Sequence, residues 1–463
     1  MKEIVTIQLG NYANFVGSHF WNFQDELLGL ADSPDSDQIF RNHGLNMDIL
    51  YRMGETQQGI LTYTPRLVSV DFQGSLGTMS SHGTLYNEIP ETSRDISTWT
   101  GPVTTHRSQP SKKNLFLQSL YDEEGAKSGS SISCESGNNN SRTEVQDKDI
   151  VDCLENGVLY WTDFSKVHYH PQSIYELSGL WSDVQEFNNY GIGKEAFSGG
   201  LRADEISERL RFFIEECDLP QGFQFIIDDS GGFSGVAAEF LENISDEYTN
   251  IPVLLYSVRS PEFCSDPGSR IQTISRKLHN AVSFTKLSAF CKLIVPVGLP
   301  SLNVGKYCYH LRSKRASISE AKEAVQAAYY ASPIEKKARF SHLSIAQCPL
   351  PIPLPFPSIF KNLVGRDGEL LDTPISDCAF TRGSLEVHSV PMAARLRSSN
   401  AILPFLEGRL ESLRKFGISR GGLGTELLKS WGFEREDVEE MGETLSGMVM
   451  ALNSGSQMLS DSD

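Results

Sequence analysis

The sequence has no CxxC pair: its eight cysteines (Cys134, Cys153, Cys217, Cys264, Cys291, Cys308, Cys348 and Cys378) are scattered. Scattered thiols argue against a zinc site and against a disulfide framework, and fit reduced cysteines in a cytosolic chain. Positive charge is also scarce, with 41 Lys plus Arg against 59 Asp plus Glu and a formal net charge of -18. Neutralising a phosphate backbone needs a basic surplus, so general nucleic-acid binding is excluded. No long apolar run exists. The longest, residues 289–299, is interrupted by Lys292 and falls well short of the ~18 residues of a membrane span. The opening MKEIVTIQLG alternates like a strand, and is expected to be neither a signal peptide nor an Arg- and Ser-rich transit peptide.

Nucleotide and hydrolase motifs are missing as well. Gly193-Lys194 lacks a Walker setting, because Asn188 stands at the first glycine position and Glu195 where Ser or Thr would hold magnesium. No GxGxxG follows a strand. Neither Ser75 nor Ser234 lies in GxSxG: Gln73 replaces the first glycine of one, and Gly235 comes one residue early in the other. A serine hydrolase relying on Ser234 remains only as an alternative from another class.

What is present is globular, at 463 residues and 39% hydrophobic, long enough for about three domains. Val5, Ile7 and Leu9 alternate up to Gly10, after which Phe15, Phe20, Trp21, Leu27 and Leu28 recur at helical spacing. Strand, glycine, helix is a β-α unit whose turn faces the crevice of an open sheet. A second strand is expected over 65–70, ending at Asp71, a carboxylate whose plainest role there is capping. The stretch 127–142 (KSGSSISCESGNNNSR) reads as a solvated loop. After it, GVLYWTDFSKVHYH alternates like a strand, placing His168 and His170 on one face without a third metal ligand.

The best-defined unit is 203–248. Ile206, Leu210, Phe213 and Cys217 mark a helix face; Phe223 to Ile227 form a buried parallel strand; DDSGGFSG opens a second helix with Val236, Phe240, Leu241 and Ile244 on one side. A glycine loop at a helix start presents N–H groups to an anion, though glycines equally permit close contact between elements. Asp228 and Asp229 would repel a bare phosphate there. Farther on, Pro349 to Pro357 place proline at every second position, an extended strip or stiff crossover. Helical spacing returns over 402–416 and 436–452, and SGSQMLSDSD reads as frayed.

Four segments in order, IQLGNYANFVGSHFW, TPRLVSVDFQGSLGTM, FNNYGIGK and EECDLPQGFQ with the glycine loop after it, resemble tubulin and its relatives. GSHFWNFQDELLGL, YTPRLVSVDFQGSLG, EECDLPQGFQ and GFEREDVEE together resemble the Misato family of tubulin-like proteins. The resemblance covers most of 1–300 and again 345–452, and fades around 306–345. It implies an α/β fold: a tubulin-like parallel-sheet domain with flanking helices, then a smaller α+β region, truncated relative to the longer family chains, and C-terminal helices. The expected organisation is 1–120 (Misato segment II, the N-terminal tubulin-like part), 121–150 (low-complexity loop), 151–305 (second tubulin-like part), 306–347 (divergent segment), 348–452 (C-terminal α+β region) and 453–463 (flexible tail).

Carried over residue by residue, the tubulin nucleotide contacts fall on Gly10, Asn11, Asp71, Asn188, Asn189, Gly231, Gly232 and Ser234. Several have changed chemistry. Asn11 stands for a loop Gln, Phe15 for the base-contacting Gln, Gln73 for an acid, Phe233 for the phosphate-binding Thr, and Ser234 and Val236 for glycines. Each lost bond that leaves a buried partner unpaired weakens binding by ~1–3 kcal/mol. The expectation is a vestigial nucleotide site with no catalytic residue, no metal and no obligatory cofactor, GTP being the ligand if any is held. The family's association with mitochondrial distribution and morphology implies action through protein contacts, with tubulin or chaperonin-related partners, in the cytoplasm and at the outer mitochondrial surface without a transmembrane segment. A GTP-binding assembly factor, or a tubulin-folding or spindle factor, is the alternative within the same fold.

Overall fold

A computed structural model describes residues 2–32, 46–55, 61–80, 113–120, 157–181, 186–259, 269–297, 341–346, 349–352, 389–397, 402–419 and 422–457, with isolated residues and pairs between them. The N-terminal alternation forms β1 (Glu3–Leu9), with Val5, Ile7 and Leu9 buried on one face and Thr6 and Gln8 on the other. A strand covered on both sides belongs in the middle of a parallel sheet. Gly10, at φ +98°, turns the chain into α1 (Asn11–Asp32).

β2 (Tyr51–Glu55) and β3 (Leu61–Pro65) pair antiparallel. β4 (Leu67–Gln73) then joins β1 in parallel. The strand expected over 65–70 is therefore shifted. Pro65 closes β3, and β4 runs on through Asp71, which pairs with Glu176 of β5 (Ile174–Trp181). Next come α2 (Tyr190–Ser198), α3 (Arg202–Glu215), β6 (Pro220–Asp228), α4 (Phe233–Glu247), β7 (Val253–Val258), α5 (Arg270–Phe290) and β8 (Leu293–Pro296). The six parallel strands lie in the order β5-β4-β1-β6-β7-β8. The order reverses between β1 and β6, which pair from Ile4 and Gly222 to Leu9 and Ile227. That reversal is the topological switch point, where open α/β sheets hold their ligands.

The segment before β5 departs from the expected strand. Asp163 accepts the N–H groups of Leu159 and Tyr160 at 2.9 and 2.8 Å, curling Trp161–Phe164 into a 3-10 turn. His168 and His170 therefore share no strand face. His170 instead caps the turn Pro171–Ser173, its Nδ1 accepting from the Gln172 N–H.

Downstream, β9 (Ser341–Ile345) pairs with β12 (Ala393–Arg397), and β10 (Leu350–Pro351) with β11 (Ser389–Val390), both antiparallel. The first residues of the proline strip thus do enter a short strand pair. The 127–142 loop, most of 306–347 and the end of the proline strip lie outside the described residues. α6 (Leu403–Leu413) continues into a π-turn over Arg414–Ile418, followed by α7 (Leu423–Ser430) and α8 (Arg435–Gln457), so helix extends into the tail expected to fray from residue 453. Leu410, Leu413, Trp431, Phe433 and Leu445 join the same buried cluster as Phe240, Leu241, Leu278 and Val282. The last three helices therefore complete the core of the sheet domain.

Candidate functional site at the switch point

Gly10, Asp71, Asp228 and the loop Asp229 to Gly232 meet at the C-terminal edge of β1, β4 and β6. Asp71 is fully buried beneath α1. Asn14 Nδ2 donates to its Oδ2 at 3.0 Å and the Phe72 N–H to its Oδ1 at 2.9 Å, while Ser69 donates to Asn14 Oδ1 at 2.9 Å. Burial outweighs those bonds, and with Asp228 nearby it pushes the Asp71 carboxyl up to about 7. Asp228 is also raised, chiefly by burial, although Ser230 donates to it through both its N–H and its hydroxyl.

Its neighbour Asp229 is satisfied differently. Ser257 donates to Oδ2 at 2.6 Å and Arg259 Nε to Oδ1 at 2.7 Å. The Asp229 carbonyl lies 2.9 Å from His279 Nε2. A carbonyl only accepts, so Nε2 carries the hydrogen and Nδ1 accepts from Ser283 at 3.4 Å. Burial depresses His279 to about 4, so its imidazole is neutral at physiological pH. Ser234 Oγ closes the chain, 2.8 Å from Ser283 Oγ and 3.0 Å from the Gly231 carbonyl. Ser234, Ser283 and His279 do align, but Ser234 is fully buried between α4 and α5, where a nucleophile could meet no substrate.

Aromatic rings occupy the crevice itself. Phe233, 4% exposed, has ring centroids 4.9 Å from Phe72 and 5.1 Å from Phe187, and those two are 5.0 Å apart, all edge to face. A Cβ on Gly10 would stand 2.8 Å from the Phe233 ring, so the ring lies directly on the first turn. The glycine loop bonds within the protein. Gly232 N–H donates to the Phe187 carbonyl at 2.8 Å, and Ser234 and Gly235 N–H groups to the Gly231 and Gly232 carbonyls at 3.1 and 2.8 Å.

The glycines serve contact. A Cβ on Gly231 would strike the Phe187 carbonyl, one on Gly232 would come within 2.6 Å of the Phe187 ring, and one on Gly235 would strike the Tyr190 carbonyl. Gly193 of α2 sits equally close to Gly232. α2 and α4 thus cross almost backbone to backbone.

Of the residues expected here, Gly10, Asp71, Gly231 and Gly232 converge. Asn11 begins α1 with its side chain exposed. Asn189 caps α2, accepting from the Ile192 N–H at 3.1 Å, and Asn188 bonds Glu186 and Asn189. Ser234 faces Ser283 rather than the crevice. Sequence reasoning missed Asn14, Phe72, Phe187, Arg259 and His279. Phe187 could have been found as the residue before the paired Asn, whereas His279 reads as an ordinary member of a helix face. No cluster of three or more His, Cys, Asp or Glu fit to hold a metal occurs among the described residues.

The Misato Segment II tubulin-like domain model matches residues 2–122, and a tubulin domain model matches residues 152–330. Protein misato homolog 1 of Mus musculus is 34% identical over 304 residues, covering 64% of this chain and 51% of the mouse protein. Protein misato of Drosophila melanogaster is 31% identical over 312 residues (64% and 52% covered), and Protein dml-1 of Neurospora crassa 28% over 305 (65% and 51%). The chain spans about half the length of the curated relatives it matches. The matched ranges hold the six-stranded parallel sheet, its flanking helices and the glycine loop, and over them the chain is similar to the Misato family of tubulin-like proteins.

Proposed function

We propose that this chain is a non-catalytic tubulin-like protein that acts through protein contacts, without nucleotide, in mitochondrial distribution and morphology. One observation supports the nucleotide-free part: Phe233, which the tubulin resemblance sets at the phosphate-binding Thr, lies against Gly10, packed between Phe72 and Phe187. The fold family implies guanine nucleotide, but these residues do not fit it. Displacing the ring would expose a buried aromatic, and the N–H groups of Gly232, Ser234 and Gly235 already have carbonyl partners. Three buried or half-buried carboxyls, Asp71, Asp228 and Asp229, stand where a polyphosphate would bring more negative charge. The mitochondrial part rests on the family resemblance. Among the described residues no helix is long and apolar enough to cross a membrane, which suits peripheral attachment through partners such as tubulin or a chaperonin-related protein.

A thermal melt across a GTP and magnesium titration, with ATP as control, tests the first part. The expected result is no GTP-specific shift up to millimolar nucleotide. An upward shift growing as the logarithm of ligand concentration, the mass-action form for a native-state ligand, would overturn it and favour a GTP-binding assembly factor. For the second part, expression in cells depleted of their own Misato-family protein should restore mitochondrial distribution. Unrestored organelles in cells making folded protein would refute the assignment.

A further inference from the structure

The two faces of the sheet are covered differently. On one, Val5, Ile7 and Leu9 share a buried cluster with Val236, Ala237, Phe240, Leu241 and Ile244 of α4. On the other, α1 carries a buried polar stripe, Asn14, Ser18 and Asn22, each at most 1% exposed. Beneath its first turns the sheet presents Thr6, Gln8, Ser69 and Asp71, all buried as well. This seam is only partly paired. Asn14 donates to the Asp71 carboxylate at 3.0 Å and the Val70 carbonyl at 3.3 Å, and accepts from Ser69 at 2.9 Å. The Thr6 hydroxyl and Gln8 Nε2 make no hydrogen bond among the described residues. The Gln8 amide lies directly under Gly17, where a Cβ would strike it. Helices in proteins are held chiefly by an apolar face, and a buried polar atom without a partner favours the arrangement in which water reaches it.

We propose that the first turns of α1, between Gly10 and Trp21, form a local lid that opens from this seam as Asp71 gives up its proton. The device goes beyond the proposed function and needs neither nucleotide nor partner. Gly10, at φ +98°, provides the bend at one end. Trp21, fully buried in a cluster with Tyr51, Leu67 and Trp161, is the anchor at the other. Charge provides the trigger. Asp71 meets Asn14 from α1, the Phe72 N–H of its own strand, Ser75 from the loop beyond, Asp228 across β1, and Glu176, its pairing partner on β5. The two charged groups in that set are both acids. Covered by α1, the carboxyl therefore keeps its proton, in line with its rise to about 7, and releases it once water enters. Opening and proton release are linked, so the opening constant rises with pH up to about 7 and levels off above it. The floor of the crevice is thus sealed in acid and accessible at neutral pH.

Hydrogen–deuterium exchange of the full chain tests this, read by mass spectrometry on peptides covering 11–20 of α1 and 236–244 of α4 and corrected for intrinsic rates. At pH 7.5 the opening constant of α1 should exceed that of α4 by about tenfold or more, since local opening needs less free energy than global unfolding. Between pH 7.5 and 5.5 the α1 constant should fall by about tenfold or more. Asp71→Asn should make it independent of pH. Thr6→Val, which deletes an orphaned hydroxyl, should slow α1 exchange several-fold and leave its pH ratio unchanged. Equal opening of α1 and α4 at both pH values would mean that the helix leaves only with the whole domain. That result, an α1 constant that ignores pH, a wild-type pH ratio in Asp71→Asn, or unchanged exchange in Thr6→Val would each overturn the proposal. If Asp71→Asn does not fold, the comparison of the two helices across pH in the wild type decides the matter without it.

Discussion

Two places along one sheet have gone opposite ways. At the switch point between β1 and β6, where the topology concentrates loop ends and helix starts, three phenylalanines pack together and the amides of Gly232, Ser234 and Gly235 bond within the protein. At the flank of β5, the last strand among the described residues, the same sheet borders a cavity of about 540 Å³ lined by Glu176, Glu205 and Glu208. A fold therefore does not dictate which of its crevices stays open. Side chains at the strand ends decide whether the inherited crevice stays a pocket or becomes core.

If the filled crevice is core, breaking it should unfold the protein rather than empty a site. Phe233→Ala gives the largest expected effect, a loss of ~3–5 kcal/mol, the range for a buried aromatic, measured as the urea midpoint. An unchanged midpoint would mean that the ring is dispensable and the crevice adaptable. Gly232→Val comes next. Its Cβ would lie 2.6 Å from the Phe187 ring, an overpacking that costs ~1–3 kcal/mol. Differential scanning calorimetry should register a lower melting temperature with and without nucleotide; a melt identical to wild type would remove the tight α2–α4 crossing from the account.

The smallest effect is in the pH dependence. His279 is depressed from 6.5 to about 4, so the unfolded chain binds more protons and stability falls as pH drops through that window. Asp71 is raised from 3.8 to about 7, so the folded state holds the proton and stability falls as pH rises from 4 to 7. Between pH 7 and 5.5 each contributes on the order of 1 kcal/mol, in opposite directions. His170, also depressed to about 4, chiefly by burial, adds to the histidine side, so the wild-type profile should lose stability toward pH 5.5. Relative to the wild type, Asp71→Asn should deepen the loss toward pH 5.5 and His279→Gln should lessen it. Parallel profiles for the two variants would mean that the burial of one group is misjudged.

Much of this was legible in the residues. The run from Ile206 through the glycine loop to Ile244 gave helix, strand, loop and helix in place, because its apolar spacing is strict and its breaks fall on Pro220 and glycines. The loss of hydrogen-bonding capacity at Phe233 followed from the tubulin resemblance, which sets that residue at the phosphate-binding Thr. What stayed hidden depends on three-dimensional neighbours. Phe187 and Phe72 are 115 residues apart in the chain, and only the sheet order brings them onto Phe233. The turn at Trp161–Phe164 was misread as strand because Asp163 reaches back to two backbone N–H groups, a local capture that alternation does not reveal. The acidic flank required knowing that β5 is the edge, which pairing decides and sequence order does not.

The C-terminal helices carry one more consequence. Trp431 lies against Gly191 of α2, and Arg409 donates to the Asn280 carbonyl of α5 at 3.1 Å. The two ends of the described fold are thus clasped together, with β8 and α6 as the posts between which the chain travels. Lengthening a flexible connection costs only ~0.6 kcal/mol per doubling. A longer connection between those posts would therefore cost the clasp little.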